Sequence, residues 1–197
     1  LNKSRFEGDH FINTKDRKDL VIHNSKDPKS SVGVIIEAKK PSNISEMIKT
    51  SNLNGKALQE LVLYYLRERI SAKNTDLKYL IVTNVYEWFI FDALVFEKYF
   101  GSNSRLVKQF SDFENKVSSG SSTDFFYKEI ASQVIEAVKS EIEFTYFDIR
   151  NYENYLRNKD KADDSKLIPL FKLFSPEHLL KLPFQNDSNT LNKSFYS

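Results

Sequence analysis

The chain of 197 residues carries 29 basic and 27 acidic side chains, a formal net charge of +2. That balance neither marks nor excludes a nucleic-acid binder, because basic residues need cover only the face that meets phosphate. No apolar run approaches the roughly 18 residues of a membrane span, no signal-peptide pattern opens the chain, and the lack of cysteine suits a reducing compartment, so a cytoplasmic location is expected.

The length fits one domain, or one domain with an appendage. Leu1 in place of a methionine, and a polar ending at Ser197, give the expectation of a piece of a longer protein. His10–Asn13 reads as a short strand and Asp19–Asn24 as a second. The polar loop 25–31, with Asp27-Pro28, is of hairpin length and leads into Val32–Pro41. A meander is therefore expected over the first 41 residues. Ser42–Asn54 is polar, with a short helical piece expected near Ile44–Ile48. Gly55–Arg69 has Leu58, Leu61, Val62, Tyr65 and Leu66 at helical spacing, with Gln59 at the border of that stripe.

Leu77–Asn84 is nearly continuous in apolar residues, the pattern of a strand buried on both faces. Glu87–Asp92 reads as its neighbour, and Trp88, Phe89 and Phe91 fit a core better than a base-stacking surface. Helices are expected over Ala93–Phe100, stopped by Gly101, and over Leu106–Val117. Residues 118–122 are small and polar and read as a linker. Beyond it, Thr123 or Asp124 caps an expected long helix to about Glu143, Phe144–Ile149 is extended, and Ser175-Pro176 starts a last helix.

Val32–Pro41 holds the informative motif. Glu37 and Lys39 lie two residues apart, so a strand points both to one face with Cα atoms roughly 6.6 Å apart. Glu-x-Lys alone also describes a solvated strand end, and Asp19 alone a turn aspartate. Across an antiparallel hairpin, however, the start of one strand meets the end of the next, which brings Asp19 to Glu37. Two carboxylates beside a lysine suit a hard divalent cation, with Asp19, Glu37 and the backbone carbonyl of Ala38 as ligands. Lys39 would then orient or deprotonate water, or stabilise charge at phosphorus. His23 follows the core side of its strand and reads as structural.

This order of Asp19, Glu37-x-Lys39 and a following helix bearing Gln59 resembles the PD-(D/E)XK nuclease superfamily, although Lys18 stands where a proline often precedes the aspartate. Many single-chain restriction enzymes carry a glutamine at the position matched by Gln59, whose other reading is a border residue of an amphipathic helix. Ile12–Lys15, Asp19–His23, Val32–Pro41, Asn54–Arg69, Leu80–Asn84, Glu87–Asp92, Asp124–Ile130 and Phe174–Leu180 look like the amino-terminal nuclease region of bacterial type IIG restriction–modification enzymes.

The resemblance implies an α/β fold: a restriction-endonuclease-like mixed central sheet flanked by helices, followed by a mostly helical C-terminal part. It divides the chain into a nuclease core (1–117), a linker (118–122) and a mainly helical extension (123–197). It implies Mg²⁺-dependent hydrolysis of DNA by Asp19, Glu37, Lys39 and Gln59. Lys15, Arg17, Lys18, Arg67 and Arg69 read first as a solvated face, with phosphate contact as the weaker reading. An N6-adenine methyltransferase using S-adenosylmethionine, and a target-recognition domain, are expected downstream. Neither is visible here: no Gly-x-Gly loop or Asn-Pro-Pro-Tyr motif occurs. Double-strand cleavage would call for a transient dimer. The rival readings are an inactive DNA-binding or assembly module on the same fold, and a repair or junction nuclease.

Overall fold

The computed structural model describes residues 10–14, 20–117, 120, 122–156 and 164–180. Among these residues six strands form one mixed sheet in sequence order: β1 (Phe11–Asn13), β2 (Leu20–His23), β3 (Val32–Ala38), β4 (Tyr79–Thr83), β5 (Glu87–Asp92) and β6 (Thr145–Asp148). Neighbours are antiparallel except β3 and β4, which run parallel. A parallel pair needs a long crossover. Here it contains helix α1 (Lys56–Leu66), extended by a π-helical turn, Arg67–Ser71. The architecture is α/β, as the sequence leads one to expect.

Helices cover both faces. On one side α1 packs with α2 (Ala93–Phe96), α3 (Ser104–Glu114), α4 (Thr123–Phe125) and α5 (Ser132–Val138) around the larger hydrophobic core. The last two are joined by a π-helical stretch, Phe126–Ala131, so the expected long helix exists with widened turns, and Ser122 supplies its cap. The short α6 (Glu153–Leu156) follows β6. On the other face, α7 (Ile168–Leu173) and α8 (Pro176–Leu179) bring Leu170, Leu173, Phe174, Leu179 and Leu180 against Ile22, Val34, Ile36, Ile81 and Ile90. The Ser175 hydroxyl accepts from the His178 N–H, the cap its sequence suggests, and the helix ends at Leu179.

Hydrophobic spacing marks one buried stripe on α1, but the helix buries more. Leu63 and Tyr64 are covered as well, because Tyr127 and Ala131 lie over its outer side. Each fully buried leucine contributes about 1.5–3 kcal/mol, so this second covering layer is a large part of what holds α1 in place. Residues on either side of 118–122 therefore share one core, and β6, beyond that stretch, completes the sheet.

A β-bulge sets the faces of β3. Ile22 pairs with Val34 and His23 with Val32, leaving Gly33 as the extra residue. The inserted residue shifts Val32 to the α1 side while Val34 and Ile36 stay on the other. A Cβ on Gly33 would collide with the Asn24 side chain and with Leu180. His23 is structural: it is buried, Nδ1 lies 2.7 Å from the Ser30 carbonyl, and Nε2 lies 3.2 Å from Asn13 Oδ1.

The helical piece expected near Ile44–Ile48 does not form, and the chain there makes turns. The Glu46 carbonyl instead accepts from the Ala57 N–H (3.0 Å), satisfying one of the amides left unpaired at the start of α1, where Gly55 brings no side-chain cap. Tertiary capping of a neighbouring helix wins over a weak local pattern.

Candidate active site

Glu37 and Lys39 lie on the α1 side at the end of β3. Val82 of β4 is the partner of Glu37, and the Thr83 carbonyl accepts from the Lys39 N–H (2.8 Å). Glu37 is 2% exposed. Its Oε1 sits 2.8 Å from Lys39 Nζ, while among the described residues no donor reaches its buried Oε2. Desolvating a carboxylate oxygen costs free energy, so the group settles there as a protonated carboxyl with Glu60 as the neighbouring acceptor, or beside a cation.

Lys39 is gripped from the helix as well. Its ammonium donates to Glu60 Oε2, and Glu46 Oε2 lies 3.6 Å away. Lys56 then joins the two outer carboxylates, at 2.8 Å from Glu46 Oε1 and 3.9 Å from Glu60 Oε1. Three glutamates and two lysines thus alternate around the end of the sheet–helix interface.

Burial pushes the Glu37 carboxyl up to about 9; the Lys39 hydrogen bond opposes this and the neighbouring Glu60 carboxylate reinforces it. Burial acts to lower Lys39, but Glu37 and Glu60 reverse that and hold its ammonium more firmly protonated than an ordinary lysine. Glu46 is held below its usual range, first by the Lys56 hydrogen bond.

The structure brings some of the sequence candidates together and separates others. Glu37 and Lys39 meet as their spacing implies. Asp19, Lys15, Arg17 and Lys18 lie outside the described residues; the last described pair at that end of the hairpin is Leu20 with Ile36. Gln59 is half-buried and donates to Asn54 Oδ1 (3.0 Å), whose own amide reaches Ser132 and Glu136 on α5. The α1 residue that reaches Lys39 is Glu60. The sequence gives little sign of it: on a helix Glu60 lies one turn from Lys56 and one from Tyr64, off the stripe of Leu58, Leu61, Val62 and Tyr65. Ala38 is exposed at the strand end.

Arg67 and Arg69 are both engaged. Arg67 Nε lies 2.8 Å from Glu114 Oε1, and Arg69 Nε lies 2.8 Å from Glu97 Oε2, which also accepts from the Tyr65 hydroxyl (2.6 Å). Arg69, Tyr65 and Glu97 line a cleft of about 440 Å³ with Asn74, Lys78 and Asp92. This cleft opens where β4 begins and β5 ends, at the other end of the strands from Glu37. Arg69, Tyr65 and Glu97 satisfy one another and Asp92 caps α2 by accepting from the Leu94 N–H (2.8 Å), so the buried Oε2 of Glu37 is the better mark of unfinished chemistry.

A hard cation suits that oxygen. Among the described residues no three His, Cys, Asp or Glu side chains are grouped to hold a metal. Mg²⁺ does not require three, because it keeps several waters and takes one or two protein carboxylates. Glu37 can supply one.

Fold and site define an α/β domain with a carboxylate–lysine cluster at the end of its parallel strand pair. The chain belongs to the family of a domain of unknown function, DUF7149, whose model matches residues 1–187. No curated protein and no solved structure matches it. Among the described residues no helix is long and apolar enough to cross a membrane.

Proposed function

We propose that this chain is the Mg²⁺-dependent nuclease part of a DNA-cleaving enzyme of the type IIG restriction–modification kind. The observation that carries the reading is the buried Oε2 of Glu37, without a donor among the described residues, beside the Lys39 ammonium on a sheet end where β2 enters opposite β3. The long sequence resemblance to the nuclease regions of such enzymes supports it.

In this reading Glu37, Asp19 and the Ala38 carbonyl hold the cation. When bound, Mg²⁺ acidifies a coordinated water and offsets phosphate charge. Lys39 is kept protonated by Glu37 and Glu60, so it donates hydrogen bonds to the attacking water or to a phosphate oxygen. Withdrawing a proton from water falls to another group. Glu60 aims Lys39 from the helix. Gln59 stands one residue away on α1 and positions water or phosphate only by leaving Asn54.

The test is cleavage of duplex DNA with Mg²⁺ by the intact natural protein and its Glu37→Gln and Lys39→Ala variants. Both variants lose cleavage, and any methylation by the same polypeptide survives. Cleavage that persists in both would remove this site from the reaction.

A second reading has one observation in its favour: the alternating ion pairs around Lys39 form a closed network, as a purely structural cluster does. Such a module would bind DNA or a neighbouring domain without cutting. Calorimetry separates the two, since only the nuclease reading requires Mg²⁺ or Mn²⁺ binding that Glu37→Ala abolishes.

A further inference from the structure

The β4–β5 hairpin ends in a two-residue tip, Val85–Tyr86. Thr83 pairs with Trp88, and the Asn84 N–H donates to the Glu87 carbonyl (3.2 Å). Val85 has φ 79°, in the left-handed region that a branched β-carbon disfavours. Positive φ at the first of two loop residues is the position that tight hairpins give to glycine. The valine also packs poorly, being 58% exposed, and Tyr86 is 41% exposed.

The surrounding turn is tightly specified. The Val85 N–H donates to Thr83 Oγ1 (3.0 Å), the Tyr86 and Glu87 N–H groups donate to Asn84 Oδ1 (3.1 and 2.7 Å), the Asn84 amide donates to Glu87 Oε2 (2.8 Å), and the Trp88 indole donates to the Val85 carbonyl (2.9 Å). A rigid frame thus holds an apolar side chain out of the core in a conformation that glycine would adopt at less cost. Nothing in folding calls for valine there.

The position supplies a reason. Thr83 is the partner of Ala38, and its carbonyl binds the Lys39 N–H, so the tip leaves the sheet beside the Glu37–Lys39 cluster. Two residues of strand place Val85 roughly 7 Å beyond that bond. The exposed Lys40 follows Lys39 directly. The Arg150 guanidinium lies over the Tyr86 ring, 5.2 Å from its centroid, and is held there by Asp148, whose Oδ1 accepts from Arg150 Nε at 2.9 Å, so its charge is already paired. An exposed apolar and aromatic pair beside an exposed lysine is suited to bases next to a phosphate.

We infer that Val85 and Tyr86 form a wedge that contacts the bases of duplex DNA next to the scissile phosphate, with Lys40 on its backbone; the inference rests on the nuclease reading of the neighbouring cluster. The test measures affinity for a duplex carrying 2-aminopurine, together with the rise in its fluorescence on unstacking. It compares the intact natural protein with its Val85→Gly, Tyr86→Ala and Glu37→Gln variants. Val85→Gly suits the tip's backbone, so it melts at or above the wild-type temperature yet binds about tenfold more weakly, as loss of one apolar contact with a base step implies. Tyr86→Ala also binds about tenfold more weakly, and both variants lose most of the fluorescence rise. Glu37→Gln keeps that rise and loses only cleavage. Wild-type affinity and fluorescence in both folded tip variants would overturn the inference, including in favour of a protein partner at the tip. Full cleavage by Glu37→Gln with the tip effects intact would instead overturn the catalytic reading alone.

Discussion

Lys39, just past the end of β3, and Glu60, in the second turn of α1, are joined by an ion pair that closes one end of the sheet–helix interface. Its partners are largely buried, and Lys39 is simultaneously bound to Glu37 at 2.8 Å. The pair links the strand that bears the candidate site to the helix that must hold that site still.

Glu60→Ala is expected to lower stability by about 1.5–3 kcal/mol, the range for a hydrogen bond to a charged group, with Glu37 still holding Lys39. Urea denaturation at pH 7 measures it. If Glu60 also aims Lys39, Glu60→Ala lowers kcat for DNA cleavage more than it changes KM, and Glu60→Gln recovers part of the loss. A stability loss without a change in cleavage would confine Glu60 to a structural role.

Glu37 gives the metal-free chain a distinctive pH dependence. Its carboxyl is raised in the folded state, to about 9, so the folded chain holds a proton that the unfolded chain releases near its ordinary 4.5. The stabilisation is complete below the unfolded value and is lost as pH rises through the folded one. Stability should therefore fall between about pH 5 and 9, no more steeply than about 1.4 kcal/mol per pH unit, the slope for one proton. Glu37→Gln flattens this slope in urea titrations with a chelator present, and an unchanged slope would place the proton elsewhere.

The same proton links pH to metal. A carboxylate must ionise to bind Mg²⁺, so binding to Glu37 near pH 7 should release close to one proton. Calorimetry in two buffers of different ionisation enthalpy counts it. Affinity rises with pH up to about 9 and then levels, and Glu37→Gln abolishes both effects.

Phe126 tests whether the chain beyond residue 122 belongs to the same folding unit. It is fully buried, with Phe110, Phe113 and Tyr127 around it, in the core that also holds α1. Phe126→Ala should cost about 3–5 kcal/mol. It should shift one unfolding transition seen equally by Trp88 fluorescence and far-ultraviolet circular dichroism. Two separate transitions, with only one displaced, would mark an independent C-terminal unit.

Much of the fold was legible because its signals are local. The apolar, β-branched run Val32–Ile36, the continuous apolar run around Leu80–Val82, the helical spacing of Leu58 to Leu66 and the Ser175-Pro176 cap each reflect preferences acting over a few residues. The turn-rich Lys40–Asn54 loop was not legible, because its shape follows from Glu46 serving α1 through both its carbonyl and its carboxylate. The left-handed Val85 was hidden for a related reason. Valine carries the strand signal of its neighbours, and only the Asn84–Glu87 hydrogen bonds force its backbone over.

The candidate site divides along the same line. Glu37 and Lys39 share one face because a strand repeats every two residues, and that much the sequence by itself determined. Which α1 residue completes the cluster was decided by tertiary structure. Gln59 and Glu60 are adjacent, so a rotation of about 100° about the helix axis separates them. The packing of the Phe126–Ala131 stretch over one side of α1, and of β3 and β4 beneath it, sets that rotation so that Gln59 meets Asn54 and Glu60 meets Lys39.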